Sequence, residues 1–207
     1  MNTIEKYILL VPAILFAMTI HEFAHGSVAY ILGDPTAKRY GRLTLNPFSH
    51  VDILGFIALF IVHIGWAKPV PIDISQIKKV SPRLGLFLVA LAGPMANFIS
   101  AYVFAKLIPI LNLLNIPEFI KLPLHYFFVF GVLLNIGFGI FNLLPLPPLD
   151  GYRILESILP DEILIRLQKI EPYSFLILLL ILFFPPTSQL IGKIVSTLSF
   201  YLLRSYL

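Results

Sequence analysis

Long apolar segments limit this chain of 207 residues to a fold that lies in a membrane. The segments Leu84–Leu111, Leu122–Leu144 and Tyr173–Leu203 are each long enough to cross a bilayer, which takes about 20 residues as a helix. A helix over Thr3–Leu32 would be about 45 Å long and would also span. Composition agrees, because 58% of the residues are hydrophobic and 13% are charged. We therefore predict an all-α, polytopic helical bundle.

The same composition excludes several other classes of protein. A disordered chain, a soluble domain and a nucleic-acid-binding domain are all too polar to match it. The net charge of +4 does not indicate nucleic acid, because Lys and Arg in membrane proteins mark the cytoplasmic loops. The chain contains no cysteine, which excludes disulfides and thiolate metal ligands. A cleaved signal peptide is a competing interpretation of Ile8–Ile20, but polar residues interrupt the apolar segment directly afterwards.

The shorter segments predict how the bundle is connected. Ile53–Trp66 is too short to span and indicates a re-entrant element, and residues 41–49 and 67–74 predict short β-strands at the membrane surface. Arg153–Glu171 has the periodicity of one amphipathic helix. Depending on the break at Pro185-Pro186 and on the re-entrant segment, we predict four to six spans.

We predict a single membrane domain over residues 1–207. Its core covers residues 3–151, and residues 152–207 add the amphipathic helix and a hydrophobic hairpin or kinked span. Residues 33–52, 67–83 and 150–172 contain most of the Lys and Arg, whereas 111–122 contains Lys121 alone. The positive-inside rule therefore places the three basic regions in the cytoplasm.

One short motif carries the clearest chemical signal. His21-Glu22-Phe23-Ala24-His25 is an HExxH sequence, in which the i, i+4 spacing puts both imidazoles on one helix face. Two such imidazoles can bind one zinc ion, and Glu22 can then act as a general base on a zinc-activated water. Two helix-face histidines packed against other polar groups are the alternative, but unpaired polar groups in an apolar helix are expensive.

A catalytic zinc site needs a third protein ligand. Asp150 is favoured, because it follows the Pro-rich, non-helical segment 143–149 and precedes Gly151, which permits a tight turn. Its alternative role is that of an N-cap for the helix that follows. The other candidates for the third ligand are Asp52, His50, His63 and His125.

Several motifs together resemble the short prokaryotic branch of the site-2 protease family of intramembrane zinc metalloproteases. They are HEFAHG at 21–26, RLTLNPFSHVDILG at 42–55, GWAKPVPI at 65–72, AGPMANF at 92–98 and NLLPLPPLDG at 142–151. The resemblance implies one catalytic Zn²⁺ held by His21, His25 and Asp150, with Glu22 as the general base. It also implies that Asn142 points into the site to position substrate or stabilise the oxyanion. Asn97 either faces the site as well or makes a helix–helix hydrogen bond.

The resemblance further implies that the substrate is a transmembrane protein within the lipid bilayer of the prokaryotic cell membrane. If residues 41–49 and 67–74 are strands, we expect an unwound substrate segment to add as an extended strand against that edge. The basic loops predict an active site nearer the cytoplasmic side. A metal transporter or channel with the same His and Asp cluster is the alternative function, and a catalytically inactive adaptor is a third. No sequence signal indicates the oligomeric state.

Overall fold

The computed structural model describes residues 3–61 and 65–204 of the chain, and within them it is helical without β-strands. The α-helices are α1 (Thr3–Leu32), α2 (Thr36–Arg39), α3 (Ile53–Ile61), α4 (Pro82–Leu113), α5 (Glu118–Asn142), α6 (Asp150–Ile158), α7 (Asp161–Gln168), α8 (Ser174–Phe183) and α9 (Pro185–Leu203). Single turns of 3₁₀-helix lie at Pro47–Ser49, Ile74–Gln76 and Glu171–Tyr173.

Three helices of the described chain are long and apolar enough to cross a membrane. They are Ile8–Leu32, Pro82–Leu113 and Glu118–Asn142. Glu171–Phe183 and Pro185–Leu203 are bent by 73° and make a fourth span if they are counted together. The predicted polytopic bundle is confirmed, but the described chain supports three or four spans, only the lower end of the predicted four to six.

Prolines set two of the helix breaks. The predicted break at Pro185-Pro186 is present, because proline lacks the N–H that continues a helix and its ring clashes with the preceding turn. The single amphipathic helix predicted over Arg153–Glu171 is wrong. Pro160 forces the residue before it into an extended conformation and divides this region into α6 and α7.

The predicted strands at 41–49 and 67–74 are not supported. Within the described residues, one isolated antiparallel bridge joins Val51 to Ala67. Pro69 and Pro71 cannot donate to a β-ladder, so regular pairing stops there. A side chain bonds to the backbone of this segment instead. Arg42 Nη2 donates to the carbonyl oxygens of Lys68 (2.6 Å) and Pro69 (3.3 Å).

Helix α4 lies at the centre of the bundle and packs against α1, α5 and α6. Small residues allow the close approach of α1 and α4, because Ala17 and Ala101 are almost completely buried. The rings of Phe16 and Phe104 pack across this contact with centroids 4.8 Å apart and planes tilted by 49°. α9 packs on the outside of α5 and contributes Leu203 to the core. This arrangement places the C-terminal half of α1 beside α4 and α6.

Candidate metal centre

Two helices bring the three predicted ligands together. His21 and His25 lie one turn apart on α1, and Asp150 is the first residue of α6. His21 Nε2 is 3.0 Å from Asp150 Oδ2 and 3.0 Å from His25 Nε2. His25 Nε2 is 3.3 Å from Asp150 Oδ2. These atoms form a group that could hold a metal ion, as the sequence predicts.

The turn into α6 directs Asp150 toward the histidines. The N-cap residue of α6 is Leu149, so Asp150 does not serve as the N-cap. Gly151 makes this turn possible, since a Cβ there would collide with the carbonyl oxygen of Leu143 at the end of α5. The glycine of the LDG motif therefore lets the beginning of α6 lie directly against the end of α5.

Hydrogen bonds at the back of each imidazole fix where its proton lies. His21 Nδ1 is 2.6 Å from Asn97 Oδ1, and His25 Nδ1 is 2.7 Å from the carbonyl oxygen of Val89. Both partners only accept, so the Nδ1 atoms donate and each neutral ring presents an Nε2 lone pair to the front. Asp150 Oδ2 is buried with no hydrogen-bond donor facing it among the described residues.

A divalent cation resolves this arrangement of acceptors. Three atoms that carry lone pairs face one another here, on side chains that are buried or half-buried. Without a cation between them, none of the three has a hydrogen-bond donor as a partner within the described part of the chain. Two imidazoles and one carboxylate match the donor set of catalytic zinc sites, which keep a further position open. The residues present therefore fit zinc.

Helix α4 leaves room for the two rings at Gly93. A Cβ at this position would lie 2.7 Å from His21 Cε1 and still closer to His25 Nε2. No such contact is possible for a real side chain, so any residue larger than glycine would displace the ligands. The AGPMANF motif of the sequence thus includes a glycine at which the imidazoles of His21 and His25 fill the space that a larger side chain would need.

We expect Gly93→Ala to weaken zinc binding by about tenfold or more, because the added methyl displaces the imidazoles from the positions in which both can bind zinc. Gly137→Ala is the matched control, since the nearest atom to a Cβ there is Val195 Cγ1 at 4.0 Å. Alanine has a higher helix propensity than glycine at both positions, so a loss of zinc affinity in Gly93→Ala alone would report on the site. Competition with a metal chelator measures it, and equal affinity for both variants would refute this role of Gly93.

A cleft of about 440 Å³ opens from these ligands. Glu22 lines it beside the two histidines, and residues 67–74, called the strap below, form part of its wall. The backbone N–H of Val70 in the strap donates to Glu22 Oε2 at 2.8 Å. The general base predicted from the sequence is therefore buried at the cleft and oriented by the strap.

Hydrogen bonds near both ends hold the strap in place. Gly33 follows the end of α1 in a left-handed conformation (φ 115°). The next residue, Asp34, is buried. Asp34 Oδ2 accepts the N–H of Asp73 at 2.8 Å. At the other end, the N–H of Lys68 donates to the carbonyl oxygen of His50 at 2.9 Å. Hydrogen bonds from Ser75 and Gln76 lower the pKa of Asp73 and keep it ionised.

Asp52, His50 and His125, the other predicted candidates within the described residues, do not belong to the group of His21, His25 and Asp150. Asp52 Oδ1 accepts the N–H of Gly55 at the start of α3, and the buried His50 bonds to the carbonyl oxygen of Thr44. His125 stands on α5 against Tyr126, and His63 falls outside the described residues. These histidines and Asp52 were predicted only as lesser candidates for the third ligand.

The two asparagines occupy different places. Asn142 ends α5 and donates to the carbonyl oxygen of Phe138 at 3.0 Å, and the described lining of the cleft does not include it. Its predicted role at the oxyanion stays a prediction. Asn97 is fully buried behind His21 rather than in the cleft. Sequence reasoning missed Gly93, Val70 and Arg42, whose contacts come from the fold and leave no pattern in the chain.

The fold and the site define a class: a protein with several helices able to span a membrane, whose HExxH helix and a distant aspartate form a group that could hold a metal ion. The comparisons with known proteins agree. Residues 109–184 match the family model of peptidase family M50. The chain belongs to this family, the site-2 protease family, so the predicted resemblance and the metalloendopeptidase class are confirmed.

The curated relatives extend the similarity over most of the chain. YwhC of Bacillus subtilis, named as a candidate zinc metalloprotease, is 41% identical over 86% of this chain and 80% of its own length. Rip2 of Mycolicibacterium smegmatis, named in the same way, is 30% identical over 91% of this chain and 72% of its own length. MJ0611 of Methanocaldococcus jannaschii is 28% identical over 74% of this chain and 72% of its own length. No solved structure gives a significant match.

Proposed function

We propose that this chain is a zinc-dependent intramembrane endopeptidase that hydrolyses peptide bonds of transmembrane proteins, with Glu22 as its general base. The observation that carries the proposal is the meeting of His21, His25 and Asp150 around a point in a cleft that Glu22 also lines. The names of the relatives support zinc and proteolysis.

The depth of the ligands supports cleavage within the bilayer. His25 and His21 lie about 10 and 17 Å along α1 from its end at Leu32, counted at 1.5 Å per residue. That depth falls inside a hydrocarbon layer about 30 Å thick. The basic residues after Leu32 favour a cytoplasmic position for that end of α1, so the site would be reached from the cytoplasmic side.

Glu22 is placed to move protons during hydrolysis. Zinc, when bound, supplies a Lewis acid that polarises the scissile carbonyl and activates water. Val70 holds Glu22 Oε2, which leaves Oε1 to accept a proton as water adds to the carbonyl carbon. When the C–N bond breaks, Glu22 passes this proton to the leaving amine, and the carboxylate is regenerated. Water is consumed, and an acid and an amine are formed.

The strap is suited to hold the substrate chain. Pro69, Val70 and Ile72 line the cleft directly beside the metal ligands. A helical substrate shields its peptide bonds, so a segment must unwind before attack, and an extended segment can then lie along the strap. The apolar side chains of the strap suit residues drawn from a transmembrane helix.

We expect Glu22→Gln to lower the turnover number about 10²–10⁴-fold, the range for loss of a general base, because the amide cannot accept the proton. Zinc affinity should stay within about twofold, since the side chain keeps its shape and is not a ligand. Cleavage of a single-span substrate in proteoliposomes and chelator competition measure the two effects. Normal cleavage by this variant would reject the proposed mechanism.

We expect Arg42→Ala to lower the turnover number by about 10–100-fold, because a small misplacement of a catalytic group has effects of this size. Without the guanidinium, the carbonyl groups of Lys68 and Pro69 lose their anchor, and the strap no longer orients Glu22. Zinc affinity should not change.

Arg39→Ala is the matched control for Arg42→Ala. It removes a neighbouring basic side chain, at the end of α2, and the same charge from the cytoplasmic region. The same loss of turnover in both variants would show that charge, not anchoring of the strap, explains the effect.

Metal transport is the alternative that the cluster itself permits. It requires ligands along a path through the membrane, whereas the described residues contain a single group of possible ligands, at one depth. Zinc uptake into proteoliposomes that is unaffected by Glu22→Gln would favour transport over proteolysis.

A further inference from the structure

We infer that Asn97 and Asn135 are positioning residues, which hold His21 in the tautomer that leaves its Nε2 lone pair available to a metal. The inference rests on the proposed zinc site, but it concerns where a proton lies on one ring. It can therefore be tested without measuring proteolysis.

A directed chain of hydrogen bonds crosses three helices to reach His21. Asn135 Nδ2 on α5 donates to the carbonyl oxygen of Gly131 at 2.8 Å, which turns Asn135 Oδ1 toward α4. Asn97 Nδ2 on α4 donates to that Oδ1 at 2.8 Å and to the carbonyl oxygen of Ala17 on α1 at 2.9 Å. Asn97 Oδ1 then faces His21 Nδ1 at 2.6 Å.

The two backbone carbonyls determine the direction of this chain. A carbonyl oxygen only accepts, so the NH₂ groups of both amides must point toward Gly131 and Ala17. If Asn97 were flipped, its NH₂ would face His21 Nδ1, and its oxygen would face the carbonyl of Ala17 and Oδ1 of Asn135. Both side chains are fully buried, so water cannot relieve those repulsions. The orientation that accepts from His21 is therefore the only satisfied one.

Asn97 opposes a competing tautomer of His21. Asp150 Oδ2 lies 3.0 Å from His21 Nε2 and is a strong acceptor. In the absence of an acceptor at Nδ1, the neutral ring would place its proton on Nε2 and donate to Asp150. That proton would occupy the lone pair a metal needs. Asn97 makes Nδ1 the favoured position and so keeps the front of the ring ready for metal.

His25 provides an internal reference. Its Nδ1 donates to the backbone carbonyl of Val89, which substitutions at Asn97 or Asn135 do not remove. A change that acts through the asparagines should shift the tautomer of His21 and leave His25 as it is. A general loosening of the bundle should affect both rings.

The test follows the ring nitrogens by ¹⁵N NMR in the full chain, labelled at histidine and held in lipid nanodiscs, before and after zinc loading. We expect His21 to be protonated at Nδ1 in the wild type and at Nε2 in zinc-free Asn97→Leu. His25 should be unchanged. Zinc affinity from chelator competition should fall about 10–100-fold, the usual range for loss of a partner behind a metal-bound histidine.

Three further variants make the outcome decisive. Asn97→Ala also removes the acceptor for His21 without adding volume and should place the proton on Nε2, which keeps the test available if Asn97→Leu fails to fold. Asn135→Leu removes one of two bonds that orient Asn97 and should have a smaller effect. Ser100→Ala, a buried polar position one turn further along α4, is the control and should leave both rings and zinc affinity unchanged.

Either of two results would overturn the inference. One is a His21 that keeps its Nδ1 proton in Asn97→Leu, and the other is an equal loss of zinc affinity in Ser100→Ala. Failure of the wild type to bind zinc would instead reject the proposed function, and the tautomer measurement would still stand by itself.

Discussion

The structure depends on the high free energy of unpaired polar groups in an apolar interior. Lone pairs of His21, His25 and Asp150 are directed at one point, and the two histidines lie on a helix that is long and apolar enough to span a membrane. A bound cation would pair these lone pairs, and the rest of each side chain also needs hydrogen-bond partners. Asn97 and Val89 provide these partners, because their oxygens accept hydrogen bonds from the Nδ1 atoms of the two rings. Packing, helix ends and loops are arranged around this requirement.

The sequence predicted the parts of the site that local spacing controls. An i, i+4 pair on a long helix fixes the relative position of His21 and His25 without any tertiary information. Asp150 required a second kind of reasoning, because its partner residues are distant in the chain. The unusual context of a carboxylate after a Pro-rich segment, the need for a third ligand and the family resemblance all pointed to it. Contacts such as Gly93 behind the rings depend on how α4 crosses α1, which spacing does not specify.

The same distinction explains where the predicted fold differs from the structure. The lengths of apolar segments located α1, α4 and α5, since burial in lipid needs a continuous run. Alternation of Leu43 and Leu45 suggested a strand near 41–49, and the Pro-rich strap suggested an extended edge strand. Backbone donors decide whether a ladder forms, however, and the strap has prolines at two positions. Its remaining donors at Val70 and Asp73 are directed to carboxylates of Glu22 and Asp34 instead. Long-range partners of this kind leave no local periodicity.

The division of the ligands between α1 and α6 has a consequence for biosynthesis. His21 and Glu22 lie on α1, which is made before α4 and α5, whereas Asp150 begins α6, after the end of α5. During translation, α1 therefore exists with only two members of the His21, His25 and Asp150 group for the whole time that α4 and α5 are made. A nascent or prematurely terminated chain that ends before α6 lacks Asp150. With the proposed zinc site, hydrolytic capacity would thus be withheld from unfinished chains until α6 has been added to the bundle.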